Sequence, residues 1–200
     1  MTLRGLTLNG GTNNGISVLA VGALNVENCF MTGFFNDGIQ MFSAGRLNVK
    51  GTDIKGCFFG VEITNTAGVV QASIDHCHLD GNTNGFLAET TSPGSSTTTA
   101  SHSTANNNSN NGWVCGDSST GQDVLNLEFC TGSENGSDGL LNNSNNALSV
   151  ARYSNCVFTD NGGFGVIVVT SATVETRGNN TITGNGTAPT SGTIVTFSPM

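Results

Sequence analysis

The sequence predicts an all-β solenoid of about seven to eight coils, on three observations. A glycine followed by an apolar residue recurs at Gly15-Ile16, Gly38-Ile39, Gly60-Val61, Gly85-Phe86, Gly112-Trp113, Gly139-Leu140 and Gly165-Val166. The intervals are 23, 22, 25, 27, 27 and 26 residues, a solenoid period far too long for a coiled-coil heptad. A second segment in each period alternates apolar and polar residues, and no stretch sustains the 3.6-residue pattern of a helix.

The first residues, with Leu3, Leu6 and Leu8, read as the middle of a coil, so the chain is expected to be a fragment lacking an N-terminal cap, with strand edges open to association. The alternating strands are Leu24-Asn25-Val26-Glu27, Leu47-Asn48-Val49-Lys50, Ala72-Ser73-Ile74-Asp75 and Leu125-Asn126-Leu127-Glu128, each with one face buried. An Asn/Asp/Gly turn follows, and a second strand starts at the apolar residue after the glycine. Three interior rows are therefore expected. The first holds Leu24, Leu47, Ala72 and Leu125, the second Val26, Val49, Ile74 and Leu127. The third runs Ile16, Ile39, Val61, Phe86, Trp113, Leu140 and Val166. The Ser/Thr-rich stretch from Glu89 to Ser103 departs furthest from the repeat and is expected to protrude as a loop. A degenerate last coil (Val174, Ile182, Ile194) closes a single domain over residues 1–200, with residues 183–200 as its end and tail.

The repeated form Leu-x-Val-x-Asn-Cys followed by Asn-x-Gly-Ile resembles right-handed parallel β-helix repeat proteins of the pectin-lyase-like group over essentially the whole chain. It is similar in style to bacterial β-helix repeat proteins with no assigned reaction. The resemblance implies a scaffold that hosts many activities and does not choose among them. Hydrolases of that group carry Asn-Thr-Asp, Asp-Asp, Gly-His-Gly and Arg-Ile-Lys strings, and none occurs in this sequence. The resemblance also implies that Asn28 and Asn155 contribute to an asparagine ladder.

Composition narrows the partners. A net charge of −8 with six Lys plus Arg leaves no basic stripe for a phosphate backbone, so no nucleic acid is expected. No apolar run approaches the roughly 20 residues that span a bilayer. The position two before the Cys landmark runs Arg4, Glu27, Lys50, Asp75, and alternating signs predict a surface charge ladder.

Cys29, Cys77, Cys130 and Cys156 share one place in their coils and read as buried stacked thiols. Only Cys130 and Cys156, one coil apart, have the spacing for a bridge, and no metal or other cofactor is indicated by the cysteines. His76 and His102 occupy equivalent places in adjacent coils, and with Asp75 they form the one weak candidate for acid–base or metal chemistry. The sequence shows neither a clear carboxylate partner at the level of the two imidazoles nor a third ligand of suitable geometry, so no metal or other cofactor is expected for the chain. A carboxylate cluster of the kind that binds calcium or cleaves a glycosidic bond is not visible, so no catalytic residue is assigned.

The outward position of the second strand changes from Ser17, Gln40 and Glu62 to Leu87, Val114, Leu141 and Ile167. That stripe is the candidate contact surface, for self-association or a protein partner, unless the C-terminal tail at Ile194, Val195 and Phe197 covers it. The expectation for the whole is a secreted or cell-surface, non-catalytic module for structure, adhesion or carbohydrate recognition. A polysaccharide lyase or glycoside hydrolase is the alternative.

Overall fold

The computed structural model describes residues 1–117, 119–169 and 171–197. Its strands all pair in parallel and stack as about eight turns with a period near 25 residues. A nine-stranded sheet runs the length of the molecule, from Thr2–Arg4 through Ala23–Glu27, Gly45–Lys50 and Val69–Asp75 to Ile194–Thr196. An eight-stranded sheet holds the second strands, from Ile16–Val18 to Ala188–Ser191. No helix among the described residues is long and apolar enough to cross a membrane.

The interior rows stand where alternation placed them. Leu24, Leu47 and Ala72 are in register and buried, as are Val26, Val49 and Ile74. Ile39, Val61, Phe86, Trp113, Leu140 and Val166 form the third row, with Ile16 only partly buried at its end. Stacking identical faces at about 4.8 Å merges these rows into one continuous core. Outside, Arg4 pairs with Glu27 and Lys50 with Asp75, the latter at 3.1 Å, as the alternating charges predict.

Three expectations are corrected, and the reading of the cysteines as buried thiols holds. Each coil has a third face, which the two-strand reading missed: Thr7–Gly11, Phe30–Phe34 and Asp53–Lys55 form a small sheet. Single bridges through His78, Thr104 and Thr131 continue it to Val157–Thr159. The Glu89 to Ser103 stretch is a loop only over residues 89–94, because Ser95–Ser101 is a full strand of the nine-stranded sheet. Thr98 and Ala100 face inward there, and the β-branched threonines suit a pleated strand as well as Val or Ile would.

The asparagine ladder lies in the turn rather than beside the cysteines. Asn82, Asn108, Asn135, Asn161 and Asn185 stack so that each Oδ1 from Asn108 onward accepts the backbone N–H of the preceding coil at 2.9–3.0 Å. Asn28 is exposed instead, at positive φ, whereas Asn155, also exposed at positive φ, does pair between coils: its backbone N–H donates to Asn179 Oδ1 at 3.3 Å and its Oδ1 accepts from Asn179 Nδ2 at 3.0 Å. Finally, all six cysteines are buried free thiols, Cys130 and Cys156 included. In the last coil Val174 pairs with Ile194, and Ile182 pairs with Phe158 of the coil before. Residues 198–200 of the expected tail lie outside the described residues.

Candidate functional site

Two residues per coil, five or six apart, take the left-handed conformation and bracket the third face. The first column is Gly5, Asn28, Gly51, His76, His102, Phe129, Asn155 and Gly178; the second is Gly10, Gly33, Gly56, Gly81, Asn107, Glu134, Asp160 and Gly184. A left-handed residue turns the chain sharply while keeping its amide in the inter-coil ladder, so the same bend repeats coil after coil.

The second column builds a groove. Gly33, Gly56 and Gly81 form a floor without side chains, and a Cβ added at Gly81 would meet nothing within 4 Å. Phe35 and Phe58, on adjacent coils, stand at its wall with 79% and 49% of their surfaces exposed. Thr12, Thr83, Asn107 and Ser109 add hydroxyl and amide groups, and the open volume is about 730 Å³. No Asp, Glu, His, Lys or Arg lines it. The recurrence of Gly10, Gly33, Gly56 and Gly81 at intervals of 23, 23 and 25 was the available sequence signal. It was masked by the stronger glycine-apolar repeat.

Residues 1–96 match the family described as the right handed beta helix region. The chain is a right-handed β-helix repeat protein. No curated protein and no solved structure matches it significantly. The β-helix is thus known by its architecture, and its chemistry must be taken from its own residues.

The first column brings the titratable candidates together. Asp75 Oδ1 lies 2.8 Å from His76 Nδ1, so the pair does have a carboxylate at its level, the residue next to His76 in sequence. Ser101 donates to the same carboxylate at 2.9 Å. Against a burial effect that raises it, hydrogen bonds from His76, Lys50 and Ser101 hold the Asp75 carboxyl down at about 2. The His76 and His102 rings stack at 4.9 Å, and Phe129 stacks on the far side of His102 at 5.1 Å. His78 stands apart, bonded to Thr104 on the third face.

The outward stripe is in register but is not an open surface. Leu87 pairs with Val114, Val114 with Leu141, and Leu141 with Ile167. Yet Leu87 and Val114 are only 3% and 2% exposed, and Leu141 and Ile167 are half-buried. The C-terminal segment does not cover the stripe, since Ile194–Thr196 pairs with Thr173–Thr176 in the other sheet.

One carboxyl pair was missed altogether. Glu62 and Asp37 are 7% and 3% exposed, and Gln40 donates to Glu62 from the preceding coil. Burial, then the Asp37 charge, push the Glu62 carboxyl up to about 8. Burial also raises Asp37, opposed by hydrogen bonds with Glu62 and with the Phe59 backbone. Sequence spacing gives little warning of this contact, because Asp37 sits in a turn and Glu62 in the middle of a strand.

Proposed function

We propose that this β-helix is a non-catalytic recognition module that binds an extended, uncharged glycan in the groove of Gly33, Gly56, Gly81, Phe35 and Phe58. The observation that carries the reading is the exposure of two phenyl rings on adjacent coils beside a floor of bare backbone. Aromatic rings present apolar faces to the C–H faces of a sugar, and nearby hydroxyls and amides fix its orientation. Coils repeat at about 4.8 Å along the groove, close to the advance of one hexose in an extended chain. A lining without acids or bases supports binding over bond cleavage, and a net charge of −8 disfavours a polyuronide. A secreted or cell-surface setting is part of the same proposal, since that is where such polymers are met.

The test is calorimetric titration with neutral cello- and chito-oligosaccharides, with oligogalacturonate as the anionic comparison. Phe35→Ala and Phe58→Ala are each expected to weaken the neutral ligand about tenfold, equivalent to about 1.4 kcal/mol, with thermal stability nearly unchanged. Equal binding by both variants and wild type would remove the groove from consideration. Release of reducing or unsaturated ends from these polymers, above a boiled control, would favour the enzymatic alternative.

A further inference from the structure

We propose that Asp75, His76 and His102 form a surface site for a divalent transition ion of the nickel–copper–zinc group. One ligand atom from each of the three side chains lies within 4.8 Å of the others. Tetrahedral zinc with metal–nitrogen bonds near 2.0 Å needs ligand atoms about 3.3 Å apart. The gap of about 1.5 Å is within reach of side-chain rotation, because both imidazoles are exposed and neither is locked by the core.

The chemistry of the donors selects the ion. Two imidazoles and one carboxylate suit zinc, copper or nickel, whereas calcium and magnesium prefer oxygen ligands alone. Asp75 can act in either of two ways: as a direct ligand, or as the acceptor that orients His76 through Nδ1 and leaves Nε2 for the metal. His102 stacks between His76 and Phe129, and the two exposed imidazoles tilt from that stack to direct their lone pairs at one ion. Other groups around the site are Lys50, which pairs with Asp75 at 3.1 Å, and Ser101. Lys50 is exposed and can swing into water when an ion takes the carboxylate.

Both histidines occupy the left-handed column at φ of 53° and 48°, between Gly51 and Phe129. Asn28 and Asn155 hold the same conformation elsewhere in that column. Asparagine is therefore the substitution that removes an imidazole while keeping the bend.

The experiment uses the full chain after chelator treatment, titrated with zinc chloride by calorimetry at pH 7.5. A parallel proton NMR titration with nickel chloride follows the imidazole and Phe129 ring signals. Wild type is expected to bind one equivalent, and His76→Asn and His102→Asn are each expected to weaken binding tenfold or more. His78→Asn should leave it unchanged. Nickel should broaden His76, His102 and Phe129 before His78. Unsaturable binding, equal affinity in all four proteins, or loss only in His78→Asn would overturn the proposal. Circular dichroism of each variant confirms its fold, and the broadening order in wild type stands even where a variant fails to fold.

Discussion

Replacing Glu62 with Gln should stabilise the protein, and increasingly so as pH rises. In the fold the Glu62 carboxyl titrates near 8 against an ordinary value of 4.5, so folding favours its protonated form. Stability from this group is fully present below about pH 4.5 and is lost as pH climbs toward 8. Each pH unit in that window removes about 1.4 kcal/mol. The loss is on the order of 3 kcal/mol at pH 7 and under 1 kcal/mol at pH 5. The groups that set the shift, besides burial, are Asp37 and Glu89 as charges and Gln40 as the opposing donor.

A glutamine at this position keeps the size of the side chain and can still bond to Asp37 and Gln40, but it cannot ionise. For a domain of this length 1 kcal/mol moves Tm by about 2–4 °C. Thermal unfolding followed by circular dichroism should therefore show Glu62→Gln about 6–12 °C above wild type at pH 7, falling to about 1–3 °C at pH 5. Asp37→Asn should make the decline smaller and end it at a lower pH, because removing its charge removes one reason Glu62 resists ionisation. Parallel Tm profiles for wild type and Glu62→Gln from pH 5 to 8 would refute the reasoning, since they would mean that Glu62 ionises as freely in the fold as outside it.

Three further outcomes concern the two kinds of glycine and the asparagine ladder. Gly81→Ala should cost roughly 1–2 kcal/mol by chemical denaturation, the strain of a left-handed alanine with open space around its methyl group. Gly85→Ala should cost more than about 3 kcal/mol, because its Cβ would stand 2.7 Å from the Gly112 carbonyl and 2.6 Å from the Ala105 methyl; equal costs would show that the glycine-apolar repeat is not set by coil packing. Asn135→Ala should lose about 3 kcal/mol in urea unfolding, since Asn135 Oδ1 accepts both the backbone and side-chain N–H groups of buried Asn108 at 3.0 Å. A cost below about 1 kcal/mol would mean that water replaces the ladder.

The difference between Gly81 and Gly85 also explains how much could be read in advance. Gly85 belongs to a repeat enforced by close packing, and a motif enforced in every coil is visible as a period. The interior rows are legible for the same reason: a one-residue slip would turn Val26, Val49 and Ile74 outward together, so each coil constrains the next. Gly81 belongs to a column where only φ is required. Glycine, asparagine, glutamate and aspartate all satisfy it, which blurs the pattern. The third face hides behind this tolerance, and with it the groove. The turn ladder of Asn82 to Asn185 was obscured differently, because asparagine is abundant in every turn and only the inter-coil bonds reveal which ones form the stack.

That tolerance is also what leaves room for chemistry. Rows that face the core accept only side chains that pack, whereas the two left-handed columns fix the backbone and leave the side chain free to vary. A left-handed residue in consecutive coils projects each side chain in the same direction, about 4.8 Å from the last. In this chain the first column received His76, His102 and Phe129, and their parallel rings at 4.9 and 5.1 Å follow directly from that spacing. The second received glycines in four consecutive coils and became a floor. Substitution in either column should therefore change ligand binding at a cost of no more than about 1–2 kcal/mol in stability. Substitution of the interior rows should cost stability first. Comparing Gly81→Ala with Phe86→Ala tests this separation: the second empties a fully buried site and should lose about 3–5 kcal/mol, while only the first places a methyl group in the glycan groove.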